Sequence, residues 1–279
     1  MQATETCRDR GMPTTSTLPI SAFIISKNEM DMIGPCIESL NACKEIIIVD
    51  SGSTDGTIER IREYKDKGYP IRLLQREWPG YAAQKQFALD QCSEIWCLNL
   101  DCDERLDPLL QQELATLTSR SQNCAAWRLG FSLFLYGYGY TPDRVRFGTA
   151  IRLMRRDRTR YGLGELVHEG VEVDGEIGTV NKGKILHARV VSLGEQILKE
   201  NHYSTLKAEQ LFKLGKRPRL LRLIFNPIIY FQRLYIFRRF FLCGWAGFIY
   251  AWTGAIYSFM TEAKLYQLHA RMRRDPSQS

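Results

Sequence analysis

The sequence predicts an α/β fold, a mostly parallel sheet flanked by helices, with a helical segment appended at its C-terminal end. Three observations predict it. Short apolar runs alternate with amphipathic stretches over roughly the first hundred residues, the pattern of strands buried on both faces. Each apolar run gives way to a polar cluster. The last eighty residues then change character: residues 200–279 hold 13 Lys+Arg against 4 Asp+Glu, whereas residues 1–199 hold 25 against 27. At 279 residues and 44% hydrophobic content the chain can bury a large core.

Residues 1–17 carry charges and hydroxyls but no apolar run of secretory-signal length, and read as a disordered leader. The domain predicted over 18–195 opens with ISAFII, a helix over 32–40, EIIIVD and a helix over 57–65. IRLLQ, a helix over 82–92 and IWCLNL follow. Residues 124–186 are Gly-rich and strand-like, include the basic block RLMRRDRTR at 152–160, and are assigned to acceptor recognition. The region 196–279 begins with an amphipathic helix over 196–215 and continues as a basic, aromatic and apolar tail. Eight scattered cysteines without a CxxC pair indicate a reducing, cytoplasmic setting rather than a zinc site or a disulfide framework.

Ligands of parallel sheets sit beyond the carboxyl ends of the strands. Three polar loops fall there: Ser26-Lys27-Asn28-Glu29, Asp50-Ser51-Gly52-Ser53-Thr54-Asp55-Gly56-Thr57 and Asp101-Cys102-Asp103-Glu104. GxGxxG and GxxxxGK[ST] are both missing, which argues against dinucleotide dehydrogenases and P-loop NTPases. Asp101 and Asp103 at i and i+2 repel by a few kcal/mol at an effective dielectric of ~20, so the pair calls for a cation. Hard oxygen ligands select Mg²⁺ or Mn²⁺, which complete their shells with phosphate oxygens, so a nucleotide diphosphate fits. The plainer reading makes Asp103 a helix cap and Asp101 a solvated strand end.

In DSGSTDGT, Asp50 is placed to accept from a base edge or ribose, and Gly52 to let the backbone approach a ligand, while Asp55 suits capping of the next helix. Lys85, one turn inside a helix announced by Pro79-Gly80, can meet phosphate charge or simply be solvated. Glu169 beside His168 is a candidate general base or else a surface acid, and His187 a candidate metal or diphosphate contact or else a structural strand-end residue.

Taken in order, ISKNE, VDSGSTDGT, WPGYAAQKQFAL and LNLDCDE resemble glycosyltransferase family 2, most of all its bacterial lipopolysaccharide core glucosyltransferases. The resemblance spans about residues 18–187. It implies a GT-A fold and an inverting, metal-dependent transfer of a hexose such as glucose from a nucleotide diphosphate sugar, a UDP-linked one, to a saccharide or glycolipid acceptor. By position it implies that Ser26, Asn28, Glu29 and Asp50 line the nucleoside, Lys85 faces the diphosphate, Asp101 touches ribose or metal, Asp103 holds the metal and Glu169 is the base. Cys102 inside the acidic motif and Ser26 in place of a common Thr are modest departures. A nucleotidyltransferase is the other enzymatic reading, although ISKNE lacks the Gly- and Lys-rich loop such enzymes carry. A catalytically silent membrane-binding module is the non-enzymatic one.

Residues 240–261 carry no charge, which suits lipid far better than nucleic acid. As a helix they would reach ~33 Å, enough for a ~30 Å hydrocarbon layer. Basic residues on both sides, Arg238 and Arg239 before and Lys264, Arg271, Arg273 and Arg274 after, place both ends at the cytoplasmic face and point to a re-entrant or in-plane hairpin. Gly244, Gly247, Ala251, Gly254 and Ser258 form a small-residue stripe expected to pack on the helix near Pro227–Arg239. Phe241, Trp245, Phe248, Trp252, Ile256 and Phe259 form a bulky one expected to face lipid. The basic flanks add attraction to an anionic membrane surface, and the alternative is a soluble hairpin core.

Overall fold

The computed structural model describes residues 17–120, 124–162, 170–180 and 182–274. The predicted leader, apart from residue 17, lies outside them. The chain runs β1 (Leu18–Ser26), α1 (Met30–Ser39), β2 (Cys43–Asp50), α2 (Thr57–Asp66), β3 (Ile71–Gln75), α3 (Tyr81–Asp90), β4 (Trp96–Asn99), β5 (Glu104–Leu106) and α4 (Pro108–Arg120). Then follow β6 (Cys124–Leu135), β7 (Gly139–Tyr140), β8 (Thr149–Arg155), β9 (Thr159–Tyr161), β10 (Val171–Val173), β11 (Glu176–Thr179) and β12 (Ile185–His187). Three helices close it: α5 (Leu193–Lys213), α6 (Leu220–Gln232) and α7 (Gly244–Arg274). They divide into two compact units, one of residues 1–102, 108–127 and 151–179, the other of 103–107, 128–150 and 180–279.

The first unit contains the predicted parallel sheet. β1 pairs parallel with both β2 and β4, β2 pairs parallel with β3, and β8 joins β4 antiparallel. Ile20, Phe23, Ile24 and all of Ile46–Val49 are fully buried, which is why these strands read as unbroken apolar runs. Each such side chain contributes ~1.5–3 kcal/mol over its exposed state. The register sets Ser26 beside Asp50 and Asp50 beside Gln75, so the polar loops after β1 and β2 leave the sheet at one edge. Among the predicted helices, α1 starts two residues early because its first N–H groups find a partner: Met30 N donates to the Asp55 carboxylate at 3.2 Å. The same carboxylate accepts from Thr57 N, the first N–H of α2, at 3.0 Å, although the N-cap position of α2 is held by left-handed Gly56 and not by Asp55 as its sequence context suggested.

In the second unit β12 pairs parallel with β6 and antiparallel with β5. Helix α5 starts at a complete capping box, in which Ser192 and Glu195 satisfy each other's backbone N–H. Helix α6 runs into a π-helical turn over Arg233–Phe237. Arg239 (φ 64) and a 3₁₀ turn over Phe240–Cys243 then reverse the chain into α7. The contacts are antiparallel: Gly247 lies against Phe240, Gly254 against Tyr230 and Leu234, and His269 against the Lys216 carbonyl.

Gly247, Ala251 and Gly254 of the small stripe are buried, and a Cβ on Gly254 would come within 2.7 Å of Leu234 and 2.8 Å of Tyr230. Phe241, Trp245, Phe248, Trp252 and Phe259 of the bulky stripe are exposed, with Trp245 81% accessible. Lys264 ties α7 to α5 by donating to Asn201, Ser204 and Thr205. Helix α6 buries no residue at all.

Candidate functional site

The loop after β2 is organised around Asp50. Its fully buried carboxylate accepts from Gly52 N at 2.9 Å and Ser53 N at 2.8 Å on one oxygen. The other oxygen accepts from Ser26 Oγ at 2.9 Å and Ser53 Oγ at 2.5 Å. Four donors on one carboxylate tie the end of β1 to the end of β2 and hold Gly52 at φ 83, where a side chain would be strained. Asn28, itself left-handed at φ 55, receives Thr54 N on Oδ1 and sends its own N–H to Ser53 Oγ, both at 2.9 Å. Glu29 N donates to Thr57 Oγ1 at 2.8 Å. The first two loops are thus knitted into one surface, with Asn28 on its exposed side and Ser26, Asp50 and Ser51 beneath.

Asp101 stands where β4 ends, and two cations grip it. Lys85 Nζ lies 3.2 Å from Oδ1 and Arg152 Nη2 2.9 Å from Oδ2. Both cations are more than nine-tenths buried. Burial alone would raise the Asp101 pKa, but the charges of Arg152 and Lys85 outweigh it and hold the carboxyl well below the usual carboxylate range. Arg152 also donates to Asn99 Oδ1 at 2.8 Å, and the Tyr161 hydroxyl approaches that oxygen at 3.4 Å. Lys85 is therefore no solvated helix lysine. Neighbouring Gln84, fully buried, donates to Ser51 Oγ at 3.0 Å and links α3 to the DSGSTDGT loop.

Two thiols brace the acidic turn: Cys36 Sγ donates to the Asp101 carbonyl at 3.6 Å and Cys102 Sγ to the Ile25 carbonyl at 3.3 Å. All seven described cysteines are reduced.

In the second unit Asp103 accepts from Arg189 Nε at 2.9 Å, with His187 Nε2 3.5 Å from the same oxygen. Pairing of β5 with β12 creates this group, since His187 sits opposite Glu104 and Ala188 N donates to the Asp103 carbonyl. Glu104 is buried.

Among the described residues no group of three or more His, Cys, Asp or Glu gathers as a metal cage. Asp103 with His187 still offers one carboxylate oxygen and one imidazole nitrogen. Such a pair fits a divalent cation that completes its shell from phosphate oxygens and water. Both Asp101 oxygens already face cations, so Asp103 is the better fitted of the two acids. Glu169, the expected base, and His168 lie outside the described residues. Their segment is flanked by β9 and β10, which pair antiparallel, and Gly162 N donates to the Gly170 carbonyl at 3.0 Å across its two ends.

Sequence reasoning assigned no role to Arg152, Asn99 or Arg189. Nothing local set Arg152 apart from the other arginines of the block at 152–160, although an arginine that faces inward from a strand needs an acidic or polar partner.

A family model described as "Glycosyl transferase family 2" matches residues 21–167. A lipopolysaccharide core biosynthesis glycosyltransferase, LpsC of Rhizobium meliloti, is 53% identical over 92% of this chain and 95% of its own. An uncharacterized glycosyltransferase of Rickettsia bellii is 30% identical over 90% and 87%. Among solved structures, the mannosyltransferase PcManGT of Pyrobaculum calidifontis, in complex with GDP-Man and Mn²⁺, superimposes with a TM-score of 0.51 at 14% identity. That match covers 94% of this chain and 79% of PcManGT. The likeness carries the fold, which is GT-A.

Proposed function

The chain belongs to glycosyltransferase family 2, and from that footing we propose that it is an inverting, metal-dependent enzyme of lipopolysaccharide core synthesis. In this reading it transfers a hexose such as glucose from a UDP-linked donor to a saccharide or glycolipid acceptor at the cytoplasmic face of the membrane. The observation that carries the proposal is the Lys85–Asp101–Arg152 cluster, with Asp103 two residues after Asp101 in the chain. A carboxylate clamped by two buried cations leaves one positive charge in excess. A diphosphate leaving group is the ligand that such an excess recruits.

The reaction is a single displacement. The acceptor hydroxyl oxygen attacks the anomeric carbon, the bond from that carbon to the diphosphate oxygen breaks, and the hydroxyl proton passes to Glu169. A general base there is worth roughly 10² to 10⁴ in rate. Lys85 and Arg152 steady the departing diphosphate, while Ser26, Asn28, Glu29, Asp50 and Gly52 shape the nucleoside wall. When Mg²⁺ or Mn²⁺ is bound by Asp103 and His187 it neutralises charge developing on the diphosphate. Tyr161, at the start of the segment that carries Glu169, contacts Asn99, two residues from Asp101.

Membrane association is proposed from the hairpin, where the exposed side of α7 is aromatic and α6, none of whose residues is buried, exposes Leu220, Leu221, Ile224, Phe225, Ile228 and Ile229. Helix α7 is long and apolar enough to cross a bilayer. The basic residues at both of its ends favour an in-plane position.

The test is a screen of nucleotide sugars for transfer or hydrolysis, with and without chelator, using Asp103→Ala as control. Turnover of a UDP-hexose that chelator abolishes and the variant lacks is the expected result. Turnover of no donor, or an unimpaired variant, overturns the reading.

A further inference from the structure

The helical hairpin borders an open cavity of about 930 Å³ that the transfer reaction does not use. The residues leading into α6, its first turn and the end of α7 line it, among them Arg217, Arg219, Arg273, Leu220 and Leu223. Glu262 also lines it, and is the first charged residue on α7 after the uncharged stretch 240–261. It is only 6% exposed, and its Oε2 is buried with no hydrogen-bond partner.

A buried carboxylate oxygen without a donor costs ~1–3 kcal/mol or more, so such atoms in native proteins normally have a partner. Here the partner has to enter from the cavity. The three guanidinium groups are exposed, and each is a strong phosphate donor. One walled-in acceptor and three exposed cationic donors make a surface complementary to a zwitterion carrying a phosphate and a donor group a few bonds away.

The apolar surroundings indicate what the zwitterion is attached to. Leu220, Leu221, Ile224, Phe225, Ile228 and Ile229 of α6 are all between 49% and 72% exposed. They run along the helix from the cavity wall. A free phosphate compound would leave this face in water, whereas acyl chains would cover it.

We propose that the cavity is a headgroup site for a membrane phospholipid bearing a phosphate and a primary ammonium, as in phosphatidylethanolamine. Arg217, Arg219 and Arg273 take the phosphate, and Glu262 takes the ammonium. The site rests on the membrane reading of the hairpin and sharpens it. General attraction of a basic surface is indifferent to the headgroup amine, but this cavity discriminates a primary ammonium, which donates, from a trimethylammonium, which does not.

The experiment uses the full chain and two sets of vesicles with the same anionic fraction, one rich in phosphatidylethanolamine and the other in phosphatidylcholine. The expected result is about tenfold tighter binding to the ethanolamine set, the effect of one charge-assisted hydrogen bond. Glu262→Gln is expected to remove that preference while keeping the binding to choline vesicles. Equal binding of the wild-type chain to both sets, or a preference that survives in Glu262→Gln, overturns the proposal.

Glycerophosphoethanolamine and glycerophosphocholine in competition on the wild-type chain give a readout that needs no variant. Only the first is expected to displace ethanolamine vesicles, and displacement by both overturns the site. A chain that binds neither vesicle set yet binds glycerophosphoethanolamine overturns the lipid source and the membrane reading together. Glycosyl transfer is measured on a soluble acceptor fragment and is expected to be unchanged by Glu262→Gln, so failure of this site is distinct from failure of the enzyme.

Discussion

Removing the Arg152 guanidinium tests whether the Lys85–Asp101–Arg152 cluster is both a structural clamp and a diphosphate site. Arg152 donates at 2.8 Å to Asn99 and 2.9 Å to Asp101, and its side chain is 11% exposed. Arg152→Met keeps most of the buried stem but removes the charged donor to Asn99 Oδ1 and to one Asp101 oxygen. A hydrogen bond to a charged group is worth ~1.5–3 kcal/mol, and that to Asn99 falls near the lower end of this range. Asp101 is 39% exposed in its side chain, so water recovers part of its loss. The net cost is ~2–3 kcal/mol. At ~2–4 °C per kcal/mol for a unit of this size, melting falls by roughly 4–12 °C.

Arg152→Lys retains the charge but cannot reach both acceptors with a planar fork, so about half of that loss is expected. Calorimetric melting and urea midpoints measure the structural part. The KM for the nucleotide sugar measures the other, and should rise about tenfold or more in Arg152→Met with a smaller change in Arg152→Lys. A melting temperature within about 2 °C of wild type in Arg152→Met would refute the clamp, and an unchanged KM would refute the diphosphate role.

Other predictions follow from single contacts. Gly247→Ala drives a methyl group into the Phe240 carbonyl at the hairpin turn, and is expected to cost ~1–3 kcal/mol or more and to show as loss of Trp fluorescence cooperativity on unfolding. The Tyr64 hydroxyl, 2.6 Å from Glu38 and partly desolvated, has its pKa pushed up to about 12. Since the folded value lies above the unfolded one of ~10, its contribution is complete below pH ~10 and is lost as pH rises through about 12. Burial also pushes other tyrosines up, Tyr250 among them, so ultraviolet titration should lose one of several late phenols in Tyr64→Phe. Trp245→Ser with Trp252→Ser strips exposed aromatic surface, so melting should change little while vesicle binding weakens by an order of magnitude or more, read by co-sedimentation.

The parallel half of the fold was legible because β1, β2 and β4 are buried on both faces and leave unbroken apolar runs, each ending in a polar loop. Lys85 and Asp101 were legible for the same reason, since the sheet order brings α3 and the end of β4 to one edge. Their direct pairing was not, because nothing local marks which acid a buried lysine meets. Arg152 was hidden in a block of basic residues whose strand alternation is masked by like charges on both faces. Arg189 and His187 reach Asp103 only through pairing of β5 with β12, across more than eighty residues of sequence. Asp50 was read as a ligand contact; that it also accepts four hydrogen bonds, three from its own loop and one from Ser26 at the end of β1, is a network that composition alone does not reveal. The stripes on α7 were readable because a spacing of three and four residues survives whatever the helix packs against.

Cys36 and Cys102, whose thiols donate to the Asp101 and Ile25 carbonyls, are 0% and 5% exposed. A maleimide can reach them only when the turn between β4 and β5 opens, so their alkylation rate is a clock for that opening. A bound donor that steadies Asp101 should slow the clock, and the slowing, measured by mass spectrometry against ligand concentration, reports occupancy of the site.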